Sequence, residues 1–106
     1  MIENISAADL QLLLAETTMP YILLDVREPW EYAFCNLGGY LIPLAELEAR
    51  MAELDQEKTI IVHCRSGQRS QLAVNILQQA GFKHLKHFTG GILGWAKEID
   101  PSFPVY

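Results

Sequence analysis

Short apolar runs alternate with amphipathic stretches along the chain, and this alternation predicts strands and helices in turn. The clearest strand is predicted over residues 58–63, where Ile60, Ile61 and Val62 stand together. Further strands are predicted over 21–25, 40–42 and 84–88, which are short apolar runs bounded by charged residues, glycine or proline.

The amphipathic stretches predict the helices. Ser6, with Asp9 three residues later, resembles a capping box and opens a first helix whose leucines recur at helical spacing. The longest helix follows the strand at 58–63 and ends at Gly81, where a left-handed C-terminal cap is expected. Its predicted apolar stripe comprises Leu72, Ala73, Ile76, Leu77 and Ala80.

Three shorter helices complete the predicted set. They cover residues 28–34, with Pro29 in the first turn, residues 44–54 and residues 92–98. In the second of these, one face carries Leu44, Leu47, Met51 and Leu54. Strands that alternate with helices at this spacing predict an α/β domain with a mostly parallel sheet covered on both faces.

The size and composition fit one ordinary domain. A chain of 106 residues, half of them apolar and a fifth charged, can bury a core without disulfides or metal, so residues 1–106 are predicted to form a single domain. The net charge of −5 argues against a nucleic-acid-binding role. The apolar runs are too short to cross a membrane and the N-terminus does not resemble a signal peptide, so a cytoplasmic protein is expected. The two cysteines and three histidines match no familiar metal-ligand spacing, and no cofactor is expected.

The chemistry is concentrated in the loop that joins the strand at 58–63 to the longest helix. A thiol at the N-terminus of a helix is favoured as thiolate by the helix dipole and the free backbone N–H groups. Gly67 allows the loop to turn so that successive N–H groups converge on an anion. An isolated cysteine at a strand end is more often a core residue, but the polar neighbours here do not suit a core. The candidate site residues are Cys64, Arg65, Ser66, Gly67, Gln68 and Arg69.

This loop resembles the active-site loop of rhodanese domains. The pattern is Cys64-x-x-Gly67-x-Arg69 followed by Ser70, and two further segments, at 24–28 and at 90–95, resemble the other signatures of that family. The resemblance implies a five-stranded parallel sheet flanked by helices on both faces. It also implies that Cys64 takes a sulfane sulfur from a donor such as thiosulfate, holds it as a persulfide and passes it to a nucleophilic acceptor.

A narrower resemblance concerns segments 35–39, 41–44 and 95–106. They are similar to the C-terminal rhodanese domain of molybdopterin-synthase adenylyltransferase–sulfurtransferases, which activate and thiolate small sulfur-carrier proteins. This implies a sulfur-carrier or persulfide-donor protein as a partner, besides a small donor. The chain has no adenylation domain, and Met1 together with the complete fold favours a stand-alone relative.

Residue roles follow from position. Arg65, next to Cys64, is the expected substrate-facing cation, whereas Arg69 can bind substrate or brace the loop. Ser66 and Gln68 are expected on the rim. Asp25 and Arg27 follow a buried strand and are expected near the same sheet edge, more as a structural ion pair than as substrate ligands.

Roles remain open for the other polar and aromatic residues near this edge. Trp30, Glu31 and Tyr32 can form a wall of the pocket, although core packing explains Trp30 equally well. Cys35 is either a second, resolving thiol or a buried inert one, and the latter is favoured. The histidines are interpreted as surface or packing residues.

Two other functions remain as alternatives. Cysteine-based phosphatases and related arsenate-handling enzymes use a thiolate, an amide cradle and an arginine, but their loop has five residues between cysteine and arginine. Four separate Cys64 from Arg69, and one residue changes the loop contour by roughly 3.5 Å, which favours a single sulfur over a tetrahedral oxyanion. The second alternative is a non-catalytic rhodanese-like binding module.

Overall fold

The computed structural model describes residues 2–16 and 20–106, and Met1, on which the stand-alone interpretation partly rests, lies outside them. The strands in these ranges are β1 (Glu3–Asn4), β2 (Tyr21–Asp25), β3 (Tyr40–Leu41), β4 (Thr59–His63) and β5 (Leu85–His87). The α-helices are α1 (Ala7–Ala15), α2 (Pro29–Phe34), α3 (Leu47–Arg50), α4 (Gln68–Gln79) and α5 (Gly91–Glu98). Two 3-10 turns, Leu44–Glu46 and Met51–Glu53, flank α3.

All strand pairings are parallel, in the order β1-β5-β4-β2-β3. The centre is β4, which pairs with β2 from Tyr21 opposite Thr59 to Asp25 opposite His63. The predicted five-stranded parallel sheet is therefore confirmed. The predicted strands match the observed ones to within a residue or two, except β1, which the periodicity did not predict because Glu3 and Asn4 are both polar and exposed.

The core lies on both faces of the sheet, because successive side chains of a strand point to opposite sides. Ile60 and Val62 pack with α3 and α4 in one buried cluster, and Ile61 packs with α1 in the other. Trp95 and Ile99, on and just after α5, pack against this second cluster. Helices therefore cover both faces, as predicted.

The helix predicted over 44–54 is divided into a 3-10 turn, the short α3 and a second 3-10 turn. Its apolar face is nevertheless correct, since Leu47 and Leu54 are buried and Leu44 and Met51 pack against the same cluster. These positions are spaced by three, four and three residues. Such spacing fits one face of either helix type, so the periodicity predicts the buried face but does not distinguish an α-helix from 3-10 turns.

The predicted stripe on α4 is partly wrong. Leu72 is 55% exposed and Ala80 is exposed, whereas Val74 is fully buried. The buried residues of α4 are Ser70, Ala73, Val74 and Leu77, a regular helical face that begins with a polar residue. Hydrophobicity alone did not identify this face, because the position nearest Cys64 is a serine.

The C-terminal end of α4 is as predicted. Gly81 has a φ of +99°, and the amide of Phe82 donates to the carbonyl of Leu77 at 3.0 Å, which ends the helix in a left-handed cap. In the ranges 2–16 and 20–106, no helix has the length and apolar character needed to span a membrane.

Replacing a leucine on either side of α4 tests the shifted face. Leu77→Ala removes a fully buried side chain and is expected to lower the free energy of unfolding by about 2–5 kcal/mol. Leu72→Ala, the matched control on the same helix, is expected to change it by less than about 0.5 kcal/mol. Urea unfolding followed by circular dichroism measures both, and a larger loss for Leu72→Ala contradicts the observed face.

Candidate active site

The sulfur of Cys64 lies at the carboxyl end of β4, just before α4, and hydrogen-bond donors converge on it. The backbone N–H groups of Gly67 and Ser70 lie 3.1 and 3.4 Å from Sγ, and the Ser70 hydroxyl lies 3.3 Å from it. Cys64 is only 1% exposed. The loop therefore forms an amide cradle around a buried sulfur, the geometry of an anion-binding nest.

Two glycines permit this loop conformation. Gly67 has a φ of +105°, and a Cβ at this position would lie 2.7 Å from the Thr89 carbonyl oxygen. Gly91, at the start of α5, has a φ of +59°, and a Cβ there would lie 2.5 Å from the Cys64 carbonyl oxygen. Only glycine accepts both the left-handed conformation and the close approach.

The start of α5 also determines which way the loop peptides face. The amides of Ile92 and Leu93 donate to the carbonyls of Cys64 and Arg65 at 3.0 and 3.1 Å. These carbonyls are therefore directed to α5. The Arg65 carbonyl belongs to the same peptide group as the Ser66 amide, so this contact turns the Ser66 N–H, which helps to lower the pKa of Cys64, to the other side. The Gly90–Gly91 turn thus acts directly on the shape of the cradle.

The cradle favours the thiolate. Burial by itself raises the pKa of Cys64, but hydrogen bonds from the Ser70 hydroxyl and from the amides of Ser70, Gly67 and Ser66 outweigh it, so the pKa lies below the ordinary value of a thiol. A lowered pKa gives more of the nucleophilic form at neutral pH.

The arginines of the loop already have partners within the chain. Arg69 makes two hydrogen bonds to the carboxylate of Glu31 in α2, at 2.6 and 2.9 Å. Arg65 donates to the backbone carbonyl of Tyr106, and its guanidinium lies 5.0 Å from the centre of the Tyr106 ring. Arg69 thus joins the start of α4 to α2, and its role in substrate binding stays a prediction.

Asp25 and Arg27 form a fully buried ion pair, with 2.8 Å between Oδ2 and Nη2. Arg27 also donates to the Cys35 carbonyl and to the Tyr106 hydroxyl, each at 2.7 Å. Both residues thus join β2 to α2 and to the C-terminal segment. They are charged groups satisfied by each other and by their neighbours, which is the arrangement expected of a structural pair.

Tyr106 connects these groups, a role that the sequence pattern does not predict. Its hydroxyl donates to Glu31 at 2.7 Å, and its ring makes edge contacts with Trp30 and Phe34. Trp30 is 64% exposed, so core packing does not explain it. Trp30 lies on α2, and α2 and the C-terminal segment together form the wall of the site.

The remaining predicted residues lie as follows. Ser66 and Gln68 are exposed on the rim of the loop. Cys35 is buried and unoxidised, and its role as a second thiol stays a prediction. Within the part of the chain that the structure describes, no three His, Cys, Asp or Glu side chains are arranged to hold a metal ion. Sequence reasoning assigned no role to Ser70, although it directly follows the loop.

Comparisons with known proteins agree with the fold and the loop. The sequence model of the rhodanese-like domain matches residues 6–98, and the chain belongs to the rhodanese-like family. The adenylyltransferase and sulfurtransferase MOCS3-2 of Zea mays is 36% identical over 101 residues, which cover 88% of this chain and 21% of that protein. The adenylyltransferase and sulfurtransferase uba4 of Ogataea parapolymorpha is 41% identical over 90 residues, which cover 82% and 23%.

Among solved structures, a rhodanese-related protein of Thermoplasma volcanium superimposes with a TM-score of 0.80 at 35% identity, covering 98% of this chain and 97% of that one. The predicted resemblance to the rhodanese domain of adenylyltransferase–sulfurtransferases is confirmed. The chain spans about a fifth of the length of the curated relatives it matches.

Adding a methyl group at Gly91 tests the contact between α5 and the loop. Gly91→Ala is expected to lower the free energy of unfolding by at least about 2 kcal/mol, because the Cβ collides with backbone oxygens. It is also expected to slow alkylation of Cys64 by iodoacetamide at neutral pH, since the cradle opens.

Gly81→Ala is the matched control. Gly81 also has a positive φ, but a Cβ there meets no atom within 4 Å, so the expected cost is about 1 kcal/mol with unchanged Cys64 reactivity. Equal effects of the two variants on Cys64 contradict the role given to Gly91.

The Glu31–Arg69 pair predicts a pH dependence of stability. Hydrogen bonds from Arg69 lower the pKa of Glu31 from 4.5 to about 2. Because the folded pKa is the lower one, the stabilisation is complete above pH 4.5 and is lost as the pH falls towards 2. Glu31→Gln is expected to lower the free energy of unfolding by about 2 kcal/mol at neutral pH, and the deficit should shrink in that acid window.

Urea unfolding of both proteins across this range measures the deficit, and Glu48→Gln, at an exposed position of α3, serves as the control. A deficit that does not change between pH 4.5 and pH 2 contradicts the assignment of the low pKa to Glu31.

Proposed function

We propose that this chain is a rhodanese-type sulfurtransferase in which Cys64 carries a sulfane sulfur as a persulfide between a donor and a nucleophilic acceptor. The single observation that supports this best is the cradle, with two amides and one hydroxyl within 3.4 Å of a sulfur whose pKa is lowered. Membership of the rhodanese-like family and the sulfurtransferase names of its relatives support the same reaction class.

The first half-reaction is attack of the Cys64 thiolate on the outer sulfur of the donor. The bond between that sulfur and the rest of the donor breaks, and the leaving group departs with the electron pair, as sulfite when thiosulfate is the donor. A Cys64 persulfide remains. The reacting species is the thiolate, so the thiol proton leaves before this step and not during it.

The second half-reaction is attack of the acceptor on the outer sulfur of the persulfide. The sulfur–sulfur bond breaks, its electron pair returns to Sγ, and the Cys64 thiolate is restored. The amides of Gly67 and Ser70 stabilise negative charge on the sulfur at both the start and the end of the cycle, as donors in an oxyanion site do.

The partners of the arginines argue against the phosphatase alternative. A phosphate ester needs a free guanidinium beside the thiolate, whereas both terminal nitrogens of Arg69 are bound to Glu31. Arg69 could bind a phosphate only if its charge-assisted hydrogen bonds to Glu31, which is 3% exposed, were broken. Binding of a terminal sulfur atom by the loop amides does not require Arg69.

The proposed donor is a small sulfane compound such as thiosulfate or a persulfide on a protein, and the proposed acceptor is a thiol or a sulfur-carrier protein. Similarity to the rhodanese region of adenylyltransferase–sulfurtransferases favours a protein partner. A compartment that keeps thiols reduced suits both free cysteines, so the cytoplasm is the proposed location.

Intact-mass spectrometry of the purified protein tests the persulfide. After incubation with thiosulfate, the wild type and Cys35→Ser are expected to gain one sulfur atom, and cyanide should remove it with formation of thiocyanate. Cys64→Ser is expected to gain none. Cys35→Ser is the matched control because Cys35 is the other buried, free thiol.

The other outcomes are informative in different ways. Loading by glutathione persulfide but not by thiosulfate supports the mechanism and identifies a thiol-based donor. Failure to load from thiosulfate, from glutathione persulfide and from a persulfide-carrying protein contradicts the proposal, and Cys64-dependent hydrolysis of an aryl phosphate would establish the phosphatase alternative instead.

A further inference from the structure

A buried histidine lies behind the cradle. His87, on β5, is only 2% exposed, and its Nε2 lies 2.7 Å from the hydroxyl oxygen of Ser70. That same hydroxyl lies 3.3 Å from the sulfur of Cys64. The three side chains form a continuous buried chain from β5 through α4 to the loop.

The backbone of His87 is held on both sides. Its carbonyl accepts from the Ile5 amide at 3.0 Å, and the amide of the next residue, Phe88, donates to Val62 at 2.9 Å. The imidazole is therefore presented to Ser70 by the pairing of β5 with both of its neighbouring strands. The backbone of His87 therefore has little freedom to move the imidazole away from Ser70.

The Ser70 hydroxyl carries one proton, so it can direct that proton to only one of its two neighbours. If Nε2 of His87 has no proton, its lone pair competes with the sulfur for the Ser70 proton. If Nε2 carries the ring proton, it donates to Ser70, and the Ser70 proton is left for the thiolate. The tautomer of His87 thus determines whether the Ser70 hydroxyl donates its hydrogen bond to the Cys64 sulfur or to His87.

We propose that His87 is a positioning residue for the nucleophile, donating from Nε2 to the Ser70 oxygen so that the Ser70 hydroxyl donates to the Cys64 thiolate. His87 acts through Ser70 and exchanges no proton with the sulfur. Since this assigns a role within the sulfur-transfer site, it rests on the proposed function.

The electrostatics agree with a neutral donor. Burial lowers the pKa of His87 and so favours the neutral imidazole, which acts through its hydrogen bond and not through a charge. The other titratable and charged groups around the loop are Arg65 and Arg69 on the loop side, Glu31 on α2, Tyr106 on the C-terminal segment and His63 on β4. All of these are unchanged in the variants below.

The test measures how the rate of Cys64 carboxamidomethylation depends on pH. All variants carry Cys35→Ser, so that the measured rate is that of Cys64 alone. His87→Leu is expected to slow alkylation at neutral pH roughly 3- to 10-fold, because one hydrogen bond that stabilises the thiolate is lost. At high pH, where Cys64 is fully ionised in both proteins, the rate is expected to be unchanged. His87→Gln, whose amide can donate to Ser70, is expected to restore most of the rate. His84→Leu, at the exposed position immediately before β5, is the control and should change nothing.

A double variant separates the route through Ser70 from a general disturbance of the core. With Ser70→Ala present, His87→Leu is expected to cause no further slowing. An unchanged profile for His87→Leu, or equal slowing with and without the Ser70 hydroxyl, overturns the proposal. Alkylation needs no sulfur donor, so a protein that fails to load sulfur can still show the coupling, and the two proposals fail separately.

A measurement on the Cys35→Ser protein avoids any risk of misfolding by the histidine variants. Nitrogen-15 NMR of the His87 ring, recorded at a pH where Cys64 is ionised, is expected to show the tautomer protonated at Nε2. The tautomer protonated at Nδ1 under the same conditions overturns the proposal.

Discussion

Two backbone hydrogen bonds, from the start of α5 to the carbonyls of Cys64 and Arg65, determine the shape of the loop on which the site depends. A peptide group that directs its carbonyl to one side directs its N–H to the other. By binding the Arg65 carbonyl, α5 turns the Ser66 N–H of the same peptide group to the opposite side, where it contributes to the lowered pKa of Cys64. Gly91 is required at this point because the backbones approach more closely than a side chain allows. The glycine pair and the cysteine loop, far apart in the sequence, are thus one structural unit.

The charges around this unit are largely satisfied within the chain. Glu31 binds Arg69, Asp25 binds Arg27, and Tyr106 contacts Glu31, Arg27 and Arg65. The cations therefore hold α2, the loop and the C-terminal segment together, and the amides and hydroxyl remain as the groups that stabilise charge on the sulfur. Such a site stabilises a localised negative charge better than a diffuse polyanion, because amide dipoles are short-ranged whereas guanidinium groups attract over longer distances.

The fold was largely predictable because hydrophobic periodicity is a local property. The apolar run of β4 and the cap at Gly81 could be identified from neighbouring residues alone. The errors fell where no apolar pattern marks the element: the residues of β1 are polar and exposed, and the buried face of α4 starts with the polar Ser70. The loop of Cys64 was also a local pattern. The pairing of Glu31 with Arg69 and the roles of His87 and Tyr106 were not identified because these contacts are distant in sequence. Arg69 lies 38 positions after Glu31, and Tyr106 lies 75 positions after it.

The burial of Cys64 has a consequence for the selectivity of attack. A persulfide contains two electrophilic sulfur atoms: a nucleophile that reaches the outer one receives the sulfane sulfur, whereas a thiol that reaches the inner one forms a mixed disulfide and leaves the protein blocked. The inner sulfur belongs to a residue that is 1% exposed and is surrounded by the loop amides and Ser70. In the proposed Cys64 persulfide, this steric protection of the inner sulfur directs attack to the outer one, so small thiols would act as acceptors and not as inhibitors.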